Sequence, residues 1–192
     1  MSIIKTLQIF DFDETIVRAP GYTSKKQVES KELQFNQPYE FYDHPKSLCE
    51  DTHNIQLISP VYDAWKNGSE DSTVYSVLIT HRVQSLSEKV TSILNDRGVK
   101  LDKMFFLGRT KRKIDIAEEL VKSLPSVVSI EIYEDSIQQI FAYQTFFARL
   151  NTERVWKEGK NEIEIKIYIV DKSKTYRIEN ILLTEEKRIK LI

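Results

Sequence analysis

The chain has 192 residues, 41% of them hydrophobic, and sets 28 Lys and Arg against 29 Asp and Glu for a net charge of −1. That is enough apolar content to bury a core without staples, and the near-neutral charge argues against a bulk electrostatic grip on nucleic acid, leaving only a local patch. One cysteine, Cys49, excludes an intrachain disulfide framework, and the absence of a spanning stretch or a secretory signal pattern gives the expectation of a cytoplasmic protein with no membrane partner.

Residues 3–10, rich in β-formers, read as a buried first strand, and Asp11-Phe12-Asp13-Glu14-Thr15 follows directly. Side chains alternate along extended backbone, so Asp11 and Asp13 face one crevice if that geometry persists. Two carboxylates this close repel unless a proton or a cation lies between them. A hard, oxygen-loving cation such as Mg²⁺ is the natural partner, with a phosphate as its usual companion. Residues 16–60 lack sustained periodicity and contain Pro20, Gly21, Pro38, Pro45 and Pro60. An insertion of that length is usually a lid or binding loop. Phe35, Tyr39, Phe41 and Tyr42 interleave there with polar residues, an arrangement suited either to stacking on bases or to anchoring the loop. His44, Cys49 and His53 lack a clear fourth ligand, so zinc is not expected.

A short helix is predicted over 61–67, ending near Gly68, and Val74 to Ile79 reads as a second strand running into Thr80-His81-Arg82. Ser85 to Arg97 carries Leu86, Val90, Ile93 and Leu94 on one helical face, with Gly98 as the C-cap. Met104 to Leu107 is another short strand. The basic run from Arg109 to Lys113 suits a polyanion, or else a solvated loop. Lys113 opens an amphipathic helix through Ile114, Ile116, Ala117, Leu120, Val121 and Leu124. Ser129 to Tyr133 is a third strand, ending in Glu134-Asp135-Ser136, and Ile137 to Leu150 an apolar helix. Ile163, Ile165, Ile167 and Ile169 alternate with polar residues as a half-exposed strand, and a further β segment around Tyr176 to Leu183 extends one sheet edge.

Strand ends thus deliver carboxylates, a hydroxyl and carboxylates again, and a helix start delivers an amine. Parallel strands place all of these on one edge of a sheet, where ligands of α/β proteins bind. Their order resembles the haloacid dehalogenase (HAD) superfamily: a DxDxT box, a strand ending in Thr or Ser, a Lys at a helix start and an acidic pair after a further strand. Within it, the chain is similar to the HAD domain of Swiss Army knife RNA-repair proteins over about residues 7–145. That branch shows FDFDxT, an aromatic-His-Pro-x-Ser-Leu segment, LLTGR, a Lys-led helix and IYEDR. The counterparts are Phe10 to Thr15, Tyr42-Asp43-His44-Pro45-Lys46-Ser47-Leu48, Leu78 to Arg82, Lys113 and Ile132 to Ser136. His81 replaces a small Gly, and Ser136 stands where Arg is common.

The resemblance implies a Rossmannoid three-layer α/β/α fold with a mostly parallel sheet. Residues 1–192 would form one catalytic domain, with a flap or small cap at 16–60 and a C-terminal β extension at 160–192. It implies a Mg²⁺-dependent phosphatase working through an aspartyl-phosphate. Asp11 is the expected nucleophile and Asp13 the acid and base, while Thr80 and Lys113 hold the phosphate. Asp11, Asp135 and the backbone carbonyl of Asp13 are the expected metal ligands. Glu134 is expected to support Lys113 or a helix start rather than the metal. Thr15, His81, Arg82, Lys111, Arg112, Tyr39 and Tyr42 are candidate substrate contacts, Thr15 also being suited to satisfying backbone groups at its turn. The substrate is expected to be a phosphorylated nucleotide or nucleic-acid end. A phosphatase of small metabolites and a non-catalytic binding module of the same fold are the competing expectations.

Overall fold

The computed structural model describes residues 3–19, 38–50, 53–158, 161–170 and 178–182. Its elements are β1 (Thr6–Phe10), β2 (Val17–Arg18), α1 (Pro38–Tyr42), β3 (Gln56–Leu57), α2 (Ser59–Ser69), β4 (Val74–Thr80), α3 (Ser87–Asp96), β5 (Lys103–Phe106), α4 (Lys113–Ser123), β6 (Ser129–Glu134), α5 (Ile137–Glu158), β7 (Glu164–Val170) and β8 (Ile178–Leu182). The main sheet runs β5-β4-β1-β6-β7-β8. Its first five strands are mutually parallel, and β8 pairs antiparallel on the outer edge of β7. This is a mostly parallel, Rossmann-like α/β fold. Among the described residues no helix is long and apolar enough to cross a membrane.

Alternation along β1 sorts the two faces of the sheet. Leu7 and Ile9 join Val77, Ile79, Ile130, Ile132 and Ile167 in a core closed by α4 and α5. Phe10 and Leu78 face the other way, against Val61 and Trp65 of α2 and Val90, Ile93 and Leu94 of α3. Gln8 is the polar exception on that second face. It donates to Glu131 Oε2 at 3.0 Å and accepts from the Ser76 hydroxyl at 2.9 Å, which makes its burial tolerable. α2 ends at Ser69, next to Gly68 as expected, and a Cβ on that glycine would come 2.2 Å from Gln8 Oε1, so the Gln8 side chain would have to shift. Gly98 does follow α3 as expected, with φ at +76° in the left-handed region.

The insertion after β1 has more structure than its sequence periodicity suggests. β2 and β3 pair antiparallel through Val17↔Leu57 and Arg18↔Gln56. α1 leads into a 3₁₀ turn at Pro45–Leu48, where His44 Nδ1 accepts from the Lys46 amide at 3.1 Å. These pieces are too short to show a period, and burial of Leu48, Ile55 and Ile58 against Phe12 and Ile16 holds them in place. Pro20, Gly21, Phe35 and the Tyr39 side chain lie outside the described residues, as do Tyr176 and residues 183–192 of the C-terminal extension. Two helices differ in length from expectation: α2 starts at Ser59, and α5 continues to Glu158.

Candidate active site

Parallel register brings the strand ends level. Phe10 pairs with Leu78 of β4 and Tyr133 of β6, so Asp11, His81 and Asp135 leave the sheet along one edge. The chain steps from β1 to β4 and β5 on one side and then crosses to β6 and β7 on the other. The edge at β1 is therefore a switch point, where α/β sheets open a crevice. The Asp11 amide still donates to Tyr133 O at 3.1 Å, extending the ladder one residue past the strand. A tight turn follows. Glu14 adopts φ +55°, uncommon for a residue with a side chain, and the Val17 amide closes the turn on Phe12 O at 3.1 Å.

The resulting cavity of about 420 Å³ is lined by Asp11, Asp13, Tyr42, His81, Arg109, Lys113, Glu134 and Asp135, among others. At its centre Lys113, the first residue of α4, is buried and reaches two carboxylates, Asp11 Oδ1 and Glu134 Oε2, each at 2.7 Å. Burial alone would pull the ammonium down, but Asp11 and Glu134 more than offset it and hold Lys113 above its ordinary range. Glu134 also accepts the Ser136 amide on Oε1 at 3.1 Å, so it serves both the lysine and the start of α5. Burial pushes Asp11 up to about 6, countered by Lys113 and reinforced by Asp135 and Asp13. It pushes Glu134 up to about 8, countered by Lys113 and reinforced by Asp11 and Asp135.

Carboxylate oxygens of Asp11, Glu134 and Asp135 lie within 4.8 Å of one another. All three are hard donors, and burial leaves their charge poorly screened, so the set fits a divalent cation such as Mg²⁺. Both Glu134 oxygens already hold N–H donors. Asp11 and Asp135 are therefore the better ligands of the three.

Asp13 faces a different neighbourhood. Its carboxylate receives Arg82 Nη2 at 2.6 Å on Oδ1, Arg82 Nε at 3.0 Å on Oδ2, and the Tyr42 hydroxyl at 2.8 Å on Oδ2. Both oxygens of the Asp13 carboxylate are thus engaged by N–H and O–H donors. Arg82, an expected substrate contact, is not among the residues that line the cavity. Its guanidinium is fully buried, lies under the Tyr42 ring at 3.8 Å, and donates to Tyr42 O and to Ser47 Oγ. It ties the insertion to Asp13 instead of reaching the cavity.

Thr80 ends β4 fully buried, and its Oγ1 accepts the Arg82 amide at 3.1 Å, leaving the hydroxyl proton for another acceptor. Thr15 is fully buried too, but its hydroxyl has no partner among the described residues, so the expected backbone contact is not made. His81 lines the cavity and places Nδ1 2.9 Å from Gly108 O. Burial, with Lys113 adding to it against the Gly108 contact, lowers its pKa. Phe41 is buried edge-on to His53 as an anchor, whereas Tyr42 reaches the cavity.

In the basic run, Lys111 is exposed and Arg112 pairs with Asp115 at 2.6 Å away from the cavity wall. Arg109 is the member that lines the cavity, bridged to Asp43 of the insertion. Gly108 before it has φ +57°, a left-handed turn just past β5.

A parallel sheet with these acidic strand ends and a buried lysine between them defines a HAD-type domain. The chain belongs to HAD domain family 1 in Swiss Army Knife RNA repair proteins, whose sequence model matches residues 44–187. Asp11 to Thr15 precede the matched stretch. No curated protein matches the chain. Among solved structures, a chain of the Pnkp1/Rnl/Hen1 complex is similar at 15% identity with a TM-score of 0.46, over 73% of this chain and 42% of that one. The chain thus spans less than half the length of that relative.

Proposed function

We propose that the protein is a Mg²⁺-dependent phosphohydrolase that removes phosphate from nucleotide or nucleic-acid ends through an aspartyl-phosphate on Asp11. The observation that supports this best is the convergence of Asp11, Lys113 and Asp135 in one cavity at the switch point of the sheet. Family membership adds the link to RNA repair.

Asp11 is the nucleophile: an oxygen of its carboxylate bonds to phosphorus as the bond to the leaving oxygen breaks. Raised to about 6, it remains largely ionised near pH 7. Lys113 holds Asp11 in one orientation and places positive charge where negative charge gathers on the phosphoryl oxygens. Thr80 donates its remaining hydroxyl proton to one of those oxygens. Asp13 handles the protons: it enters the cycle protonated, gives that proton to the leaving oxygen, and is restored by taking one from the water that releases phosphate from Asp11. The Tyr42 hydroxyl, hydrogen-bonded to Asp13, lies on the same proton path. A Mg²⁺ held by Asp11, Asp135 and the Asp13 carbonyl would shield the attacking carboxylate from the phosphate charge.

The test is hydrolysis of an aryl phosphate with and without Mg²⁺, coupled to trapping with fluoroberyllate and location of the adduct by mass spectrometry. An adduct on Asp11 and loss of turnover in chelator are expected. Full turnover in excess chelator, or an adduct elsewhere, overturns the scheme. A panel of phosphorylated oligonucleotides, mononucleotides and sugar phosphates then separates end-processing from metabolite hydrolysis.

A further inference from the structure

His81 is the residue of the cavity wall whose chemistry the proposed hydrolysis leaves unused. It follows Thr80 directly and lines the cavity together with Asp11 and Lys113. Its Nδ1 is 2.9 Å from the Gly108 carbonyl. A carbonyl only accepts, so Nδ1 carries the proton, and in the neutral ring Nε2 is left with a lone pair. The Gly108 contact is the hydrogen bond His81 makes among the described residues. His81 lines the cavity, and Nε2 is the ring nitrogen that the Gly108 contact leaves over.

An imidazole lone pair repels phosphate oxygens. It attracts a hydroxyl donor. The loop across from it is fixed: the Gly108 amide donates to Arg82 O at 3.3 Å while the Gly108 carbonyl takes the His81 proton, so neither ring nor loop turns without breaking the other's bond. Burial lowers the histidine's pKa, which keeps the ring in the neutral form near pH 7.

We propose that His81 is a specificity-determining residue that accepts a hydrogen bond from a hydroxyl vicinal to the scissile phosphate, which makes the preferred ligand a ribonucleotide 3′-phosphate end carrying its 2′-OH. The 2′-OH is the donor that distinguishes RNA from DNA at such a site. The substrate class rests on the phosphatase reading; the binding preference does not require turnover. The same hydroxyl–phosphate pair occurs in a free ribonucleoside 3′-phosphate and in glycerol 3-phosphate, and membership of an RNA repair family favours the RNA end.

The experiment measures the affinity of the Asp11→Asn protein, in Mg²⁺, for short oligonucleotides with a 3′-phosphate whose terminal sugar is ribose, 2′-deoxyribose, 2′-O-methyl or 2′-fluoro. The ribose end is expected to bind about tenfold more tightly than each of the others, the scale of one neutral hydrogen bond. Equal affinities overturn the inference, as does retention by the 2′-O-methyl or 2′-fluoro ends, which lack the donor. In His81→Gly, measured in the same Asp11→Asn background, the ribose-to-deoxyribose ratio should fall to near one; an unchanged ratio assigns the selectivity to another group. Ribonucleoside 3′-monophosphate and glycerol 3-phosphate serve as competitors, and displacement by glycerol 3-phosphate at equal concentration would move the ligand from an RNA end to a small metabolite. A ribose preference in binding without hydrolysis of any phosphate by the wild type would refute the enzyme and keep the binding site.

Discussion

Arg82 grips Asp13 with two nitrogens while the same guanidinium reaches Tyr42 O and Ser47 Oγ on the insertion. One buried cation therefore sets both the direction of the DxDxT turn and the seat of the segment that walls the cavity. Losing one partner of a buried ion pair leaves the other charge uncompensated. Arg82→Met should cost about 3–5 kcal/mol of unfolding free energy. Urea unfolding checks this, and a loss below about 1 kcal/mol, the worth of an exposed pair, would mean the pair carries no structural weight.

Lys113 shares its charge between Asp11 and Glu134, so the two acids are not equivalent in their effects. Glu134→Gln retains the shape and an acceptor for Ser136 N–H while exchanging a carboxyl partner of the ammonium for an amide. We expect kcat for an aryl phosphate to fall about 10²-fold, the size of losing one preorganised electrostatic partner, with the Mg²⁺ requirement preserved. Asp135→Asn should instead raise the Mg²⁺ concentration needed for half-maximal activity. Titration of activity against Mg²⁺ in both variants distinguishes them, and a reversed pattern would make Glu134 the ligand.

The acidic cluster also predicts a pH dependence. Asp11 is raised from 3.8 to about 6 and Glu134 from 4.5 to about 8, burial being the largest cause for each. A carboxylate with a raised folded pKa binds its proton more tightly when folded, so it costs stability as pH climbs from the unfolded value through the folded one. Lys113, held above its ordinary range, stabilises evenly across that window because both of its values lie higher. In chelator the melting temperature should therefore decline between pH 5 and pH 8. The decline should be shallower in Asp11→Asn, and Mg²⁺ should restore more at pH 8 than at pH 5. A wild-type slope no steeper than that of Asp11→Asn would show that the cluster is not electrostatically strained.

The sheet was legible because β1, β4 and β6 are short apolar runs bounded by polar residues, and α3 and α4 carry clear helical stripes. Parallel pairing then follows from the order of the elements, and with it the meeting of Asp11, Lys113 and Asp135. What was not legible depends on contacts distant in sequence. Arg82 reads from the sequence as a substrate contact, and only Asp13, Tyr42 and Ser47 converging on it account for its burial. The insertion's pieces, such as the two-residue strands β2 and β3, are shorter than any detectable period.

The last prediction concerns which cations meet a polyanion. The sequence singled out Lys111 and Arg112, yet Arg112 is paired with Asp115 and projects into solvent, while Arg109 lines the cavity against Asp43. A flanking phosphate of an oligonucleotide can replace Asp43 as the partner of Arg109, trading one anion for another at little net cost. Arg109→Ala should then raise KM for a 3′-phosphorylated oligonucleotide and reduce the slope of log affinity against log salt by about one, the change expected for one lost phosphate contact. Asp43→Asn should act the other way, lowering KM for the oligonucleotide by freeing the guanidinium from competition. Lys111→Ala and Arg112→Ala should each have smaller effects, since neither lines the cavity. The measurement is kcat/KM for the oligonucleotide and for a mononucleotide across a salt series in each variant. If Lys111 and Arg112 change the slope and Arg109 does not, the nucleic acid passes over the outer loop and the Asp43–Arg109 pair only closes the cavity.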